Sequence, residues 1–314
     1  MDNHQPLFPS PVMHTYQAFA LLMIALLGFF VIGPLLGALI AVAISGVSVD
    51  ELKMVLNNPM NAGGRSLILA MQAGATIGMA GLPYLYARYK YHLDGRFYNM
   101  ATMDIKAAIL AMLITFTFMI FNSVVIEWNM ELTFPSFLQG FEKWARQTEE
   151  AATQMVAFLT DFESAGALLM MLIIMAVLPA IAEEYVFRGL IQRKLELAMT
   201  NIHLAIWISA ILFSAIHMQF FGFFPRLLLG ALFGYLYVWS RNLWIPIAAH
   251  FFNNAFMLIM IYLYKSGSIG YDIENSEAPS LVTVAIFAII TFALVYYFRK
   301  AFAKQADGEM AKNI

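Results

Sequence analysis

The sequence predicts an all-α, polytopic transmembrane helical bundle. Of its 314 residues, 61% are hydrophobic and only 12% are charged, whereas an ordinary soluble domain carries about 25% charged residues. So many apolar side chains exceed what a core of this size can bury, and lipid must be the solvent for much of the surface. The apolar residues are also grouped in stretches of about 17 to 25, the length that a helix needs to cross the hydrocarbon. We expect one membrane domain over residues 1–314.

Eight apolar stretches have about the length of a membrane span. They are residues 16–44, 66–86, 105–126, 165–190, 204–218, 225–239, 243–264 and 281–298. The fifth and sixth are the shortest, so their status as full spans is left open. Three glycine pairs have the four-residue spacing that lets helices pack closely, namely Gly33 and Gly37, Gly74 and Gly78, and Gly230 and Gly234.

The positive charges indicate the orientation, because Lys and Arg accumulate in short cytoplasmic loops. Cations follow the second, fourth, sixth and eighth stretches: Arg88, Lys90, Arg96, Lys106, Arg188, Arg193, Lys194, Arg241, Arg299, Lys300 and Lys304. The connection between the third and fourth stretches is acidic instead. Eight spans with both the N and the C terminus in the cytoplasm place all of these cations on one side.

That acidic connection carries a second pattern, with apolar residues at helical spacing and charges between them. The apolar residues are Phe134, Phe137, Leu138, Phe141, Trp144 and Ala145. The pattern predicts an amphipathic helix over residues 135–159, lying on the outer membrane surface. A cap without a role in chemistry and a gate for substrate are equally compatible with it.

The composition excludes several classes of chemistry. A net charge of -2 gives no reason to expect nucleic acid as a partner. The absence of cysteine excludes disulfides, a thiol nucleophile and zinc held by cysteine. The sequence contains no GxSxG elbow, no HExxH zinc helix and no phosphate-binding glycine loop. Water activated by a glutamate or by a metal is therefore favoured over a serine nucleophile.

Ionisable residues within apolar stretches are candidates for function, because inserting one costs about 2.5 to 3.5 kcal/mol. The first cluster lies towards the cytoplasmic end of the fourth stretch. Adjacent residues on a helix point about 100° apart, so Glu183 and Glu184 are expected to meet different neighbours. Glu184 and Arg188 are four residues apart and can form an ion pair. Glu183 then stays available as a general base. The alternative is a charge cluster at the interface, with Arg188 reaching lipid phosphates.

Two further clusters lie near the end of the fifth stretch and within the seventh. The functional candidate near the end of the fifth stretch is His217, although a lone histidine on an apolar helix is often a core residue satisfied by a backbone carbonyl. His250 and Asn254 are four residues apart on one face, where they could donate hydrogen bonds to an oxyanion. The alternative is an interhelical hydrogen bond, which contributes about 0.6 to 2 kcal/mol. Asn253 is expected to point elsewhere.

The three clusters together resemble the CPBP family of membrane proteases, which includes the type II CAAX prenyl endopeptidases and bacteriocin-processing proteins. The resemblance rests on Glu183-Glu184-x-x-x-Arg188, Phe213-x-x-x-His217 and His250-x-x-x-Asn254, in that order. Residues 165–264 carry these motifs. The family implies an endopeptidase with an eight-helix bundle and a site open to the cytoplasm. It also implies a multi-pass protein of a prokaryotic plasma membrane.

The resemblance assigns roles to the motif residues. Glu183 would activate the attacking water with help from His217, and His250 and Asn254 would form the oxyanion hole. The substrate would be a membrane peptide or a lipidated protein in the lipid bilayer.

The resemblance also implies that Glu184 and Arg188 hold the other site residues in position. Zinc stays open as a cofactor, because Glu183, His217 and His250 could supply three ligands with a fourth position free. Two other functions also stay open. Intramembrane Glu and His residues occur in proton-coupled transporters, and a scaffold or immunity protein could keep the same fold without the chemistry.

Overall fold

The computed structural model describes residues 10–45, 49–58, 60, 64–100, 102–161, 164–272 and 279–310. Within these residues the fold is all-α, without strands. We number ten helices along the chain: α1 (11–45), α2 (Val49–Asn57), α3 (Gly64–Lys90), α4 (Ile105–Met130), α5 (Gln139–Leu159), α6 (Ala165–Ala198), α7 (Ile202–Ala215), α8 (Phe223–Ser240), α9 (Trp244–Lys265) and α10 (Leu281–Met310).

Seven of these helices, α1, α3, α4, α6, α8, α9 and α10, are long and apolar enough to cross a membrane. The predicted polytopic helical bundle is therefore confirmed, and the protein is an integral membrane protein. The fifth predicted stretch corresponds to α7, which has only 14 residues and so is shorter than a usual span. The orientation of the termini and the single domain over 1–314 stay predictions.

The amphipathic helix between the third and fourth spans is also confirmed. A 3-10 turn at Ser136–Leu138 leads into α5, which ends at Leu159 as the sequence predicts. Ala145 is buried against the bundle, whereas the ring of Phe137 is 81% exposed. The helix thus covers part of the bundle with one face and presents large apolar side chains outwards. The sequence interpretation missed α2, since nine residues are too few to give a span signal.

The fourth predicted stretch, 165–190, ends too early. Helix α6 continues to Ala198, and Lys194 within its last turns is buried. The Lys194 ammonium donates to Gln17 Oε1 at 2.7 Å and lies 4.7 Å from the ring centre of Phe97. These partners allow a cation to stay inside the bundle, where the sequence had placed it in a loop. The hydrogen bond from Lys194 to Gln17 therefore links α6 to α1.

Helices α1 and α3 pack with their backbones in direct contact. A Cβ atom added at Gly33 would overlap the carbonyl oxygen of Gly74, and one added at Gly28 would overlap that of Gly78. The small-residue spacing predicted for Gly33, Gly37, Gly74 and Gly78 therefore does allow close helix packing. Further along α3, such a Cβ at Gly81 would have no atom of the described residues within 4 Å.

This contrast within one helix gives a first prediction. Replacing Gly74 with alanine should force α1 and α3 apart and destabilise the protein by about 1 to 3 kcal/mol, as overpacking does. Gly81→Ala is the matched control, and it should be neutral or slightly stabilising because alanine favours a helix. Thermal unfolding of the purified protein in detergent measures both. Equal melting temperatures for the two variants would contradict this packing.

Candidate active site

The site is built around a buried ion pair on α6. Arg188 Nη1 donates to Glu184 Oε1 at 3.1 Å, and Arg188 Nε lies 3.0 Å from Glu184 Oε2. The side chains are 1% and 0% exposed. The predicted pairing of these two residues, four apart on one helix, is therefore present, and the alternative in which Arg188 reaches the lipid headgroups is not.

Arg188 also joins α6 to the neighbouring α8. Its Nη2 donates to the carbonyl oxygen of Gly230 at 2.8 Å. The guanidinium carbon lies 4.7 Å from the ring centre of Phe213 and 5.8 Å from that of Phe233. A buried charge needs this number of partners, since removing it from water costs several kcal/mol. Phe213 and Phe233 supply cation–π contacts that sequence spacing alone did not reveal.

The carboxylate of Glu184 has a second partner on α9. His250 Nδ1 lies 2.7 Å from Glu184 Oε1, and the imidazole stacks on Phe233 with ring centres 5.4 Å apart. The ring is therefore fixed on one edge and one face. With a proton on Nδ1, the assignment that this hydrogen bond requires, the other nitrogen of His250 is directed away from Glu184.

That other nitrogen faces Glu183. The distance from His250 Nε2 to Glu183 Oε2 is 3.9 Å, which is longer than a direct hydrogen bond. Glu183 has 14% of its side chain exposed, whereas Glu184 has none. The prediction that the two adjacent glutamates meet different neighbours is thus correct. Glu184 is fully committed to Arg188 and His250, and Glu183 remains accessible.

Asn254 lies one helical turn beyond His250 on α9. Its Nδ2 donates to the carbonyl oxygen of Met175 at 3.4 Å, and its Oδ1 accepts from Asn253 Nδ2 at 3.0 Å. Met175 lies in a π-helical segment, four residues before Pro179, which has no N–H to offer that carbonyl. The prediction that Asn253 points elsewhere is wrong, because Asn253 fixes the orientation of the Asn254 amide.

His217 lies just beyond the end of α7. Its Nδ1 is 2.9 Å from the carbonyl oxygen of Phe213, and the rings of these two residues meet edge to face. Phe213 also contacts the ring of His250, with centres 5.9 Å apart. One nitrogen of His217 therefore has the backbone partner expected of a core histidine, and Nε2 is left for another partner. The ring of Phe213 thus contacts both histidines.

The residues foreseen as zinc ligands do not form a closed set. Within the residues that the structure describes, no group of three or more His, Cys, Asp or Glu side chains is placed to hold a metal ion. Nδ1 of both His217 and His250 is already used, by Phe213 and Glu184. The arrangement of Glu183, His217 and His250 thus does not fit a three-ligand metal site, and metal dependence stays an untested prediction.

A cavity of about 560 Å³ lies between α3 and α6. On α6 it is lined by Leu178, Ile181, Ala182 and Tyr185, whose spacing places them on one face of the helix. Glu183, five residues after Leu178, projects from a different face. The cavity is therefore separate from the cluster of Glu183, Glu184 and His250.

Comparison with known proteins identifies the segment that carries this site. Residues 165–256 match the family model described as "Type II CAAX prenyl endopeptidase Rce1-like". The chain is 31% identical over 88 residues to "Uncharacterized protein YpbD" of Bacillus subtilis (strain 168), covering 27% of this chain and 42% of that protein. It is 32% identical over 91 residues to "Putative membrane peptidase YdiL" of the same organism, covering 29% and 37%. No solved structure matches the chain.

The resemblance inferred from the motifs is thus confirmed over residues 165–256, a segment similar to the CPBP proteases. The matches span about four tenths of the length of these curated relatives. The matched segment runs from the start of α6 into α9 and includes all seven motif residues.

The buried pair gives a second prediction. Replacing Arg188 with alanine should leave the Glu184 carboxylate buried without its cation and destabilise the protein by about 3 to 5 kcal/mol. The double change Glu184→Leu with Arg188→Met should recover most of that loss, since well-packed apolar residues can replace a buried pair. It should not recover activity, because His250 loses its partner. Melting temperature and activity, measured side by side, check this. A double variant as unstable as Arg188→Ala would contradict it.

Proposed function

We propose that this protein is an intramembrane endopeptidase that hydrolyses peptide bonds of membrane-associated substrates, lipidated ones included. One observation carries the proposal: Glu183 and His250 Nε2 face each other across 3.9 Å, and Glu184 holds the imidazole from behind. A carboxylate that can take a proton and a directed ring nitrogen are the two groups needed to add water to a carbonyl.

Glu183 is the general base in this mechanism. Its carboxylate accepts a proton from a water molecule as the water oxygen bonds to the carbonyl carbon of the substrate. The same proton then passes from Glu183 to the departing amine as the C–N bond breaks, which leaves a new carboxyl group and a free amine. Glu183 suits this role because it is the accessible member of the glutamate pair.

His250 and Asn254 stabilise the negative charge on the carbonyl oxygen. Glu184 holds the imidazole of His250 through Nδ1, as the carboxylate does in a catalytic triad, so that Nε2 is directed towards the oxyanion and can donate a hydrogen bond to it. Asn254 offers its remaining amide hydrogen from the same face of α9, held by Asn253 and Met175. Donors fixed before the reaction need no reorganisation as charge develops, which makes such stabilisation effective in a dry site.

His217 completes the site from the end of α7. Its Nδ1 is held by the Phe213 carbonyl, so its Nε2 is free to orient the water or the substrate near Glu183. The two glutamates lie in the middle of α6, and His250 and Asn254 lie in the first half of α9, so a peptide must reach into the bundle to be cleaved. A peptide already anchored in the membrane suits this position, in line with the family description over residues 165–256.

Substitution of the base gives a third prediction. Glu183→Gln keeps the shape of the side chain but cannot accept the proton, so cleavage of a fluorogenic, membrane-anchored peptide library should fall to background. Glu150→Gln is the control, because Glu150 is an exposed glutamate that accepts a hydrogen bond from Gln154. Both variants should match wild type in yield and melting temperature. Cleavage retained by a well-folded Glu183→Gln protein would exclude this mechanism, and a transporter or scaffold would then be favoured.

The arrangement of the possible metal ligands gives a fourth prediction, on metal dependence. Since Glu183, His217 and His250 form no three-ligand set in the described residues, we expect cleavage to survive incubation with a strong zinc chelator followed by its removal. Enzyme taken through the same steps without the chelator is the control. Loss of cleavage that added zinc restores would instead assign these residues to a metal centre.

A further inference from the structure

Helix α5 is docked on the loop that carries His217. This loop, residues 216–222, joins α7 to α8. The rings of Phe134 and Phe141 meet that of Phe220 at centre distances of 5.2 and 5.4 Å. The guanidinium of Arg146 on α5 lies 4.5 Å from the ring centre of Phe221. Aromatic contacts therefore fix the first half of α5 against this loop.

A chain of polar side chains crosses the same interface. Gln219 Oε1 accepts a hydrogen bond from Arg226 Nη2 at 2.7 Å, and Gln219 Nε2 is 3.4 Å from Glu149 Oε1 on α5. One amide thus bridges a cation on α8 and a carboxylate on α5. Burial raises the pKa of Glu149, and the positive charge of Arg226 opposes that rise.

One member of this polar chain, Arg226, lies within electrostatic range of the catalytic cluster. Arg226 interacts electrostatically with both Glu183 and His217. Within the described part of the chain, its Nη1 and the Oε2 of Glu149 are buried without a hydrogen-bond partner. Leaving such groups unpaired costs about 1 to 3 kcal/mol each or more. A contact that only stabilised the fold would more easily be replaced by apolar packing, so these residues are better explained by a role in the site.

The loop itself needs support from outside. Met218, directly after His217, has a φ of 56°, in the left-handed region. For a residue with a side chain this conformation costs about 1 to 3 kcal/mol and persists only when its surroundings enforce it. The Met218 side chain is 54% exposed and contributes little packing. The next residue, Gln219, is the one held from both sides.

We propose that Glu149, Gln219 and Arg226 are positioning residues that hold the 216–222 loop, and with it His217, in the conformation that catalysis needs. Helix α5 is then a part of the active-site scaffold. This role of α5 differs from both alternatives that the sequence leaves open, the cap without a role in chemistry and the gate for substrate. The inference rests on the proposed endopeptidase function.

Exchanging the carboxylate of Glu149 with the amide of Gln219 tests this proposal. Gln219→Glu places a carboxylate beside Glu149 and should push α5 away, whereas the double change Glu149→Gln with Gln219→Glu restores one carboxylate and one amide in exchanged positions. We expect kcat of the single variant to fall on the order of 100-fold, the loss that a displacement of about 1 Å causes, with KM unchanged. The double variant should recover most of the activity. Glu150→Gln, on the same helix, should match wild type.

The docking of α5 is measured in the same proteins. The chain has no cysteine, so Ala145→Cys introduces a single thiol at a position that is 0% exposed on α5. A maleimide should label this thiol slowly in the wild-type background, faster with Gln219→Glu, and slowly again with the double change. Arg226→Lys, which keeps the charge but loses the planar fork, should lie between wild type and Gln219→Glu in kcat.

The outcomes separate this inference from the proposed function. A fall in kcat with faster labelling, both reversed in the double variant, supports the positioning role. Wild-type kcat in a Gln219→Glu protein overturns it, and so does a rise in KM at constant kcat, which would mean that these residues bind substrate directly. An active wild type with unaffected Gln219 variants overturns this inference alone. A wild type that cleaves none of the membrane-anchored peptides overturns the proposed function and this inference together.

Discussion

The buried pair of Glu184 and Arg188 is the constraint on which the rest of the site depends. A charge inside a membrane bundle is tolerated only when it is paired and hydrogen-bonded, and the guanidinium meets this need with partners on α6 and α8. The carboxylate in turn holds His250 on α9. One ion pair therefore fixes three helices relative to one another, and the contacts of Phe213 and Phe233 with the guanidinium follow from its position.

The division of labour between two neighbouring glutamates follows from helix geometry. Because successive residues point about 100° apart, only one of them can join the buried pair. Glu184 forms the ion pair with Arg188 and binds Nδ1 of His250. Glu183 stays accessible and faces the opposite nitrogen of the same ring. Rigid elements thus carry the reacting groups, and the one group on a loop, His217, is the one that needs α5 and the polar chain through Gln219 to hold it.

The sequence predicted the seven long apolar helices, the amphipathic α5 and the Glu184–Arg188 pair, because length, periodicity and four-residue spacing are local signals. It also predicted an eighth span, which corresponds to α7, a helix of only 14 residues. It could not predict the bond between Glu184 and His250, or the ring stacking on Phe233, because these depend on how distant helices pack. The continuation of α6 past residue 190 was missed because a lysine in the sequence indicates a loop outside the membrane. Only the fold shows that Gln17 accepts a hydrogen bond from Lys194 inside the bundle. Gln219 and Arg226 carry no motif, and only the fold brings them to Glu149.

The central claim, that Glu183 activates water without forming a bond to the substrate, is tested most directly by a single turnover in ¹⁸O-labelled water, with excess enzyme and a membrane-anchored peptide. Direct attack by water predicts one ¹⁸O atom in the new carboxyl group of the product after that first turnover. A product that carries only ¹⁶O, with the label found in Glu183, would show that the glutamate attacks the substrate itself and would contradict the mechanism.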